Sequence, residues 1–326
     1  MTAALLRKPL VLLLALGGAG PLAGQEPDPG PPPGRLVDVG GRKLHLLCSG
    51  SGSPTVVLEA GASAFAIDWT LVQQEVARHQ RVCSYDRAGS GWSDASTPAT
   101  RASVSHDLHA LLEQAGEAPP FVLVGASLGG IYVRLYAADY PDQVAGLVLV
   151  DPATETRLFT MYRGEGVEIA SLTAEQLRET IPPGTFAVPR RAVQTGTPFD
   201  RLPPELYAKR RALDARLIAS YPDSVGYEAR LSFSEGERAR LARLKALSAA
   251  QQYPLADRPL IVLSRGLDSS QGQLDSHEGV ARLSSNSRHR VIAGAGHEIH
   301  LFQPDAVIQA IADVVASLRS GKPLAP

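Results

Sequence analysis

The sequence predicts an α/β fold, in which a mostly parallel β-sheet is flanked by helices. Short runs of Val, Ile and Leu alternate along the chain with stretches whose apolar residues recur at three- and four-residue spacing. This alternation is typical of parallel strands joined by covering helices. The apolar run 121–124 also leads directly into a Gly-x-Ser-x-Gly turn, after which a helical pattern begins.

Composition narrows the class of protein further. The 326 residues are 44% hydrophobic and 20% charged, as in a globular protein large enough for one big domain or two small ones. The formal net charge is −1, so no basic field indicates binding to nucleic acid.

The first 24 residues are expected to be a secretory signal peptide. A short basic region at Arg7 and Lys8 precedes an apolar stretch over 10–16, and small residues follow up to Gly24. The apolar stretch is too short to span a bilayer, although an uncleaved membrane anchor is an alternative. We therefore expect a secreted or periplasmic protein.

Residues 25–34 are rich in proline and glycine and are expected to form an extended tether. The folded domain is then 35–326. Its first elements are a hairpin across Gly40-Gly41, a buried strand and a helix, and then a second strand and helix. The corresponding ranges are 36–39 and 43–48 for the hairpin, 54–59 and 81–85 for the strands, and helices around Trp69–Val76 and over 104–115.

The stretch around Ser127 has the pattern of a nucleophile elbow. Such a turn places a serine between a strand and a helix with strained backbone, and the neighbours two positions away nearly touch. Gly125 and Gly129 occupy those two positions, where glycine has no side chain that could clash. We expect the Ser127 hydroxyl to stand above the sheet edge at the N-terminus of a helix.

The strand 144–150 ends at Asp151-Pro152, and the β pattern then disappears until residue 260. Helices are predicted over 153–252, where capping boxes start at Thr173 and Ser234 and a longer helix starts at Pro204. Strands resume at 260–263 and 290–292, and a final amphipathic helix ends before Gly321.

Four ordered motifs resemble the α/β-hydrolase superfamily, in its lid-bearing, esterase-like branch. They are Leu58-Glu59-Ala60-Gly61, the segment from Tyr85 to Ser93, Gly125–Gly130 and Gly294–His300. The resemblance covers about 35–320. It implies an eight-stranded sheet with the second strand antiparallel, a helical lid inserted after strand six (153–252), and a triad in the chain order Ser, acid, His.

The resemblance assigns roles to particular residues. Ser127 is the nucleophile and His297, in a loop after a strand, is the base that activates it. The backbone N–H groups of Leu128 and Ala62 are expected to bind the oxyanion. Glu59 is interpreted as structural, since a carboxylate facing an oxyanion would oppose catalysis.

Three aspartates compete for the role of the triad acid. Asp268 is preferred because it follows the strand 260–263 within a few residues and lies between Ser127 and His297 in the chain. Asp151 ends the preceding strand, where some members of the fold place the acid. Asp275 is the third candidate, but a capping box with Glu278 already explains it.

The two cysteines, Cys48 and Cys83, are expected to lie on neighbouring strands in the strand order that the resemblance implies. A cross-strand disulfide is one possibility in an oxidising compartment, and two buried free thiols are the other. No motif has metal-ligand spacing, and no cofactor is implied. The basic, amphipathic segment 237–245 is interpreted as a lid helix with a solvated face, with a membrane-surface role as the alternative.

The sequence thus predicts a secreted serine hydrolase that cleaves carboxylic esters through an acyl-enzyme on Ser127. The substrate is a small-molecule ester, and neither nucleic acid nor stable membrane insertion after signal cleavage is expected. Peptidases, amidases and carbon–carbon-bond hydrolases share the triad and remain alternatives, as does a catalytically silent binding protein on the same fold. The oligomeric state is left open.

Overall fold

The computed structural model describes residues 28–95, 104–156, 159–181, 183–187, 192–220, 224–250 and 254–325. In chain order its strands are β1 (Arg35–Asp38), β2 (Lys43–Ser49), β3 (Thr55–Glu59), β4 (Val82–Tyr85), β5 (Phe121–Ala126), β6 (Val144–Val150), β7 (Phe159–Tyr162), β8 (Glu165–Glu168), β9 (Thr185–Ala187), β10 (Ser224–Gly226), β11 (Leu260–Arg265) and β12 (Ser287–Ile292). The helices are α1 (Thr70–Val76), α2 (Val104–Ala115), α3 (Leu128–Asp139), α4 (Ala174–Glu179), α5 (Pro204–Ser220), α6 (Tyr227–Ala250), α7 (Gln271–Ala281), α8 (Ile299–Phe302) and α9 (Pro304–Ser320).

The main sheet has eight strands in the order β1-β2-β4-β3-β5-β6-β11-β12. Strand β2 runs antiparallel to both of its neighbours, β1 and β4, and the remaining pairs are parallel. This confirms the expected mostly parallel, eight-stranded sheet. Strands β5, β6 and β11 lie side by side and parallel, so their carboxyl ends meet at one edge of the sheet.

Helices cover both faces of the sheet, which explains why its strands are continuously apolar. Successive residues of β3 point to opposite faces: Val57 joins one core with residues of α2, α3 and α7, whereas Val56 and Leu58 join another core with residues of α1 and α9. Each of these three side chains is fully buried.

The segment between β6 and β11 is an insertion of mixed structure, and we call residues 152–259 the insertion. It contains α4, α5 and α6, as the sequence predicts, but it also carries two short antiparallel sheets, β7–β8 and β9–β10. The expectation of a purely helical insertion is wrong in this respect. In the β7–β8 turn Arg163 and Gly164 both have positive φ, a conformation that favours glycine. Only Gly164 has the residue type that such turns favour.

The two predicted capping boxes have different outcomes. Thr173 caps α4, and its hydroxyl and the Gln176 side chain exchange hydrogen bonds with the backbone as expected. Ser234, in contrast, lies inside α6, which already begins at Tyr227. The prediction that a helix starts at Ser234 is wrong because α6 continues through this residue.

The basic segment of α6 has its apolar side buried and its charges paired. Leu241 and Leu244 are buried against residues of α3, including Ile131. Arg243 pairs with Asp139 of α3, and Lys245 pairs with Glu168. These contacts fit the interpretation of a helix with a solvated charged face. No helix within the described residues has the length and apolar character that crossing a membrane requires.

The end of the proline-rich tether rests on the domain instead of hanging free. The Trp92 indole Nε1 donates to the carbonyl of Gly30 at 2.8 Å. Lys209 Nζ, on α5 of the insertion, donates to the carbonyls of Pro29 at 2.8 Å and Pro31 at 3.2 Å. Prolines have no N–H, so Pro29 and Pro31 need partners only for their carbonyls, while the N–H of Gly30 donates to Asp28 at 2.8 Å.

Cys48 and Cys83 form a disulfide between β2 and β4. The two residues are directly opposite each other in the antiparallel register, because Cys48 pairs with Cys83 and Leu47 with Ser84. Of the two alternatives that the sequence left open, the structure contains the bonded one.

Candidate active site

Ser127 lies in a strained turn between β5 and α3. Its φ of 50° and ψ of −119° are values that an L-residue rarely adopts. The chain reverses so sharply that a Cβ on Gly125 would lie 2.6 Å from the carbonyl oxygen of Gly129. A Cβ on Gly129 would lie 2.5 Å from the carbonyl oxygen of Glu59, so only glycine fits either position. The geometry is that of a nucleophile elbow.

His297 reaches this turn from the loop after β12 and forms a hydrogen bond with Asp151. Its Nδ1 lies 2.5 Å from Oδ2 of Asp151, at the end of β6. The Asp151 side chain is 1% exposed and that of His297 is 39% exposed. A buried carboxylate thus holds one ring nitrogen of a partly exposed histidine.

Asp151 therefore occupies the position that the sequence analysis gave to Asp268. Asp268 is exposed in the loop after β11, where its φ is 54°, and Asp275 is exposed on α7 and accepts a hydrogen bond from Gln271 at 2.7 Å. The preference for Asp268 is wrong. Strands β6 and β11 are neighbours and end at the same edge, so an aspartate after either strand satisfied the chain order.

Two further residues hold the Asp151 carboxylate, and sequence reasoning missed both. Oδ1 accepts hydrogen bonds from the backbone N–H of Arg265 at 3.1 Å and from Gln273 Nε2 at 3.0 Å. Burial alone would raise the pKa of Asp151, but the hydrogen bonds from His297 and Arg265 outweigh it and lower that pKa below its ordinary value. Asp151 is consequently ionised at neutral pH.

The loop after β3 lies beside the nucleophile. A Cβ on Gly61 would be 3.3 Å from Cβ of Ser127, and Ala62, the next residue, is exposed. Leu128 is the first residue of α3, so its N–H has no partner within the helix. The two proposed oxyanion donors, Ala62 and Leu128, are thus on segments that border Ser127.

A buried charged group lies behind this loop. Arg87 donates hydrogen bonds to the carbonyls of Ala60 and Gly61 at 2.6 Å each, and it also forms an ion pair with Glu59. Tyr85 donates its hydroxyl to the same carboxylate. Burial raises the pKa of Glu59, and the Arg87 charge opposes that rise. Glu59 is held away from the cavity, in agreement with a structural role.

His300 lies close to His297 but in a different environment. It is buried on α8, and its ring centroid is 4.5 Å from that of Trp69. Burial, followed by the charges of His297 and Arg210, lowers the pKa of His300 to about 3. His300 is therefore neutral at ordinary pH.

A small cavity of about 170 Å³ brings these groups together. Ser127, Asp151 and His297 all line it, together with polar side chains that include Thr154, Arg265, Gln273 and His277. As for metals, the closely spaced ligand types among the described residues are Cys48, Cys83 and Glu117. The two thiols there are joined in the disulfide, and Glu117 is paired with Arg81.

The strand order, the serine turn after β5 and the histidine after β12 define an α/β-hydrolase architecture. The alpha/beta hydrolase fold family matches residues 54–304, and the chain belongs to this family.

Individual relatives agree with this assignment at the level of the fold. A protein from Acinetobacter baumannii that is named as a putative lipase has a TM-score of 0.60 with 18% identity. The match covers 88% of this chain and 92% of that one. An esterase from Thermogutta terrifontis has a TM-score of 0.56 with 24% identity, over 87% of this chain and 98% of that one.

Curated relatives match over shorter stretches. A probable transporter of Hormonema carpetanum is 32% identical over 129 residues, which is 37% of this chain and 18% of that protein. The chain spans less than half the length of this and the other first curated relatives.

Proposed function

We propose that the protein is a serine hydrolase that cleaves carboxylic esters through an acyl-enzyme on Ser127. The observation that carries the proposal is the hydrogen bond between buried Asp151 and His297, in the same cavity as a serine on a strained elbow. The hydrolase fold of the whole domain supports it, and the structural neighbours include proteins named as a lipase and an esterase.

The proposed mechanism follows from which atoms are already engaged. Asp151 uses Nδ1 of His297, which fixes the tautomer and leaves Nε2 to accept the proton of the Ser127 hydroxyl. Ser127 Oγ then attacks the ester carbonyl, and the N–H groups of Leu128 and Ala62 stabilise the oxyanion. The protonated His297 returns its proton to the leaving alcohol.

Deacylation repeats the same steps with water. His297 takes a proton from a water molecule, which attacks the acyl-enzyme and releases the carboxylic acid, and Ser127 regains its proton. Throughout, the lowered pKa of Asp151 keeps its carboxylate ionised beside the imidazolium that forms. No step requires a cofactor.

We also propose that the protein acts outside the cytoplasm, after removal of residues 1–24. The basic and apolar pattern of these residues supports this. The Cys48–Cys83 disulfide is compatible with an oxidising compartment.

Replacing Ser127 tests the mechanism directly. The Ser127→Ala protein should lose hydrolysis of aryl acetates by a factor of about 10⁴–10⁶ and should not react with a fluorophosphonate probe. Ser285→Ala, which changes an exposed serine far from the elbow in sequence, is the matched control and should keep both activities. Wild-type labelling of the Ser127→Ala protein would refute the proposal.

A further inference from the structure

The Tyr85-Asp86-Arg87 motif contacts the loop that carries one oxyanion donor. The Arg87 guanidinium donates from Nη1 to the carbonyl of Ala60 and from Nη2 to the carbonyl of Gly61, each at 2.6 Å. These two carbonyls belong to consecutive peptide groups. Arg87 therefore contacts both peptide planes of the turn that passes Ser127.

A trans peptide group is planar, and its C=O and N–H point in opposite directions. The carbonyl of Gly61 belongs to the same plane as the N–H of Ala62, so fixing that carbonyl on one side aims the N–H to the other. The same relation joins the carbonyl of Ala60 to the N–H of Gly61. A cation bound to these oxygens also polarises the peptide groups, which strengthens their N–H groups as donors.

From this geometry we propose that Arg87 is the positioning residue of the oxyanion site: it holds the Ala60 and Gly61 carbonyls so that the loop presents its N–H groups beside Ser127. The inference rests on the proposed serine hydrolase mechanism. Arg87 does not touch the reacting atoms and acts through the backbone.

The neighbouring residue of the motif fixes the far end of the same loop. Asp86 Oδ1 accepts a hydrogen bond from the N–H of Ala66 at 2.8 Å, and Oδ2 accepts one from the N–H of Trp92 at 3.1 Å. A Cβ on Gly91 would lie 2.1 Å from Asp86, which explains why glycine follows in the motif. The motif thus holds the loop at residues 60–61 and again at residue 66.

Arginine is the suitable residue for this task because its planar fork can reach two carbonyls and a carboxylate together. Glu59 pairs with the guanidinium and balances its charge, and Tyr85 donates its hydroxyl to the same carboxylate. Lysine keeps the charge but has a single nitrogen, so it cannot hold both peptide planes in the same arrangement.

The test compares Arg87→Lys with a matched Arg81→Lys variant. Arg81 directly precedes strand β4, and Arg87 follows the same strand. Arg81 forms an ion pair with Glu117, away from the cavity. Arg87→Lys should lower kcat for aryl acetates by roughly 10- to 100-fold with little change in KM, because a misplaced oxyanion donor costs about that much. Arg81→Lys should keep the wild-type kcat.

A second readout separates positioning from a general structural role. Binding of a trifluoromethyl ketone, which forms a tetrahedral oxyanion on the serine, should weaken in Arg87→Lys by the same factor as kcat. Binding of the product acid, which forms no tetrahedral oxyanion, should change little. Equal weakening of both ligands would overturn the proposal.

The Glu59→Gln/Arg87→Met double variant covers the case in which an unpaired carboxylate unfolds the protein. It leaves no buried charge without a partner, yet it removes the contact with both carbonyls. Its kcat should fall at least as far as in Arg87→Lys, at an unchanged near-UV circular dichroism spectrum. A wild-type kcat in either Arg87 variant would overturn the inference, whereas a wild-type protein without Ser127-dependent turnover would overturn the proposed function instead.

Discussion

The Asp151→Asn substitution should inactivate the enzyme without unfolding it. The two oxygens of the Asp151 carboxylate have different partners. Oδ1 accepts hydrogen bonds from the backbone N–H of Arg265 and from the side-chain amide of Gln273, and Oδ2 is hydrogen-bonded to Nδ1 of His297. An asparagine keeps its oxygen toward the two donors, because the opposite orientation would place N–H groups against N–H groups. Its NH₂ group then faces Nδ1 of His297.

That orientation forces the wrong tautomer. Nδ1 must accept, so the proton moves to Nε2, which can then no longer accept the proton of Ser127. We expect kcat to fall about 10⁴-fold, which corresponds to about 5.5 kcal/mol of transition-state stabilisation. The fold should persist, because Asn retains the shape of the side chain and the contacts of Oδ1.

The assay is kcat for an aryl acetate at saturating concentration, with the melting temperature as the control for folding. Asp268→Asn is the matched variant and should remain within about twofold of wild type, because Asp268 is exposed and His297 is bonded to Asp151. A collapse of activity in Asp268→Asn with an active Asp151→Asn protein would refute the reasoning.

Two further predictions concern stability and export. Because the pKa of His300 is lowered to about 3 in the folded protein, its contribution to stability is present above pH 6.5 and is lost as the pH falls below that value. Between pH 7 and pH 5 the wild-type free energy of unfolding should fall by about 2 kcal/mol more than that of the His300→Gln protein. Denaturant titrations at both pH values measure this difference. Equal losses in the two proteins would contradict the lowered pKa of His300. Separately, mass spectrometry of the protein from its native cell envelope should find a chain that begins near Gln25 and contains no free thiol, whereas an intact Met1 terminus in cytoplasmic protein would contradict export.

The sheet could be predicted from the sequence because its signals are local. The run from Val56 to Leu58 is apolar at every position, and a strand covered on both faces has this pattern whatever its neighbours are. The turn at Ser127 could be predicted for the same reason, since the elbow requires glycine at fixed offsets within a few residues. His297 followed from its place after the last strand.

The carboxylate that contacts His297 could not be chosen from sequence because the choice depends on a distance across strands. The ends of β6 and β11 are adjacent, and only the structure shows which carboxylate meets His297. Gln273 and Arg265 were missed for the same reason, since nothing near them in the chain indicates that they bind Asp151. Ser234 shows a different error: its capping-box pattern predicts a helix start, but the helix already begins upstream at Tyr227.

The contacts of the tether set the route by which a pulling force would enter the molecule. A load applied at the N-terminal end of the described chain reaches Pro29, Gly30 and Pro31 before it reaches β1. Their carbonyls are bonded to Lys209 of helix α5 and to Trp92 in the loop after β4, so both of these contacts are loaded before strand β1 is. A protein held at this end would thus transmit tension to the insertion and to the loop after β4 before its first strand is stretched.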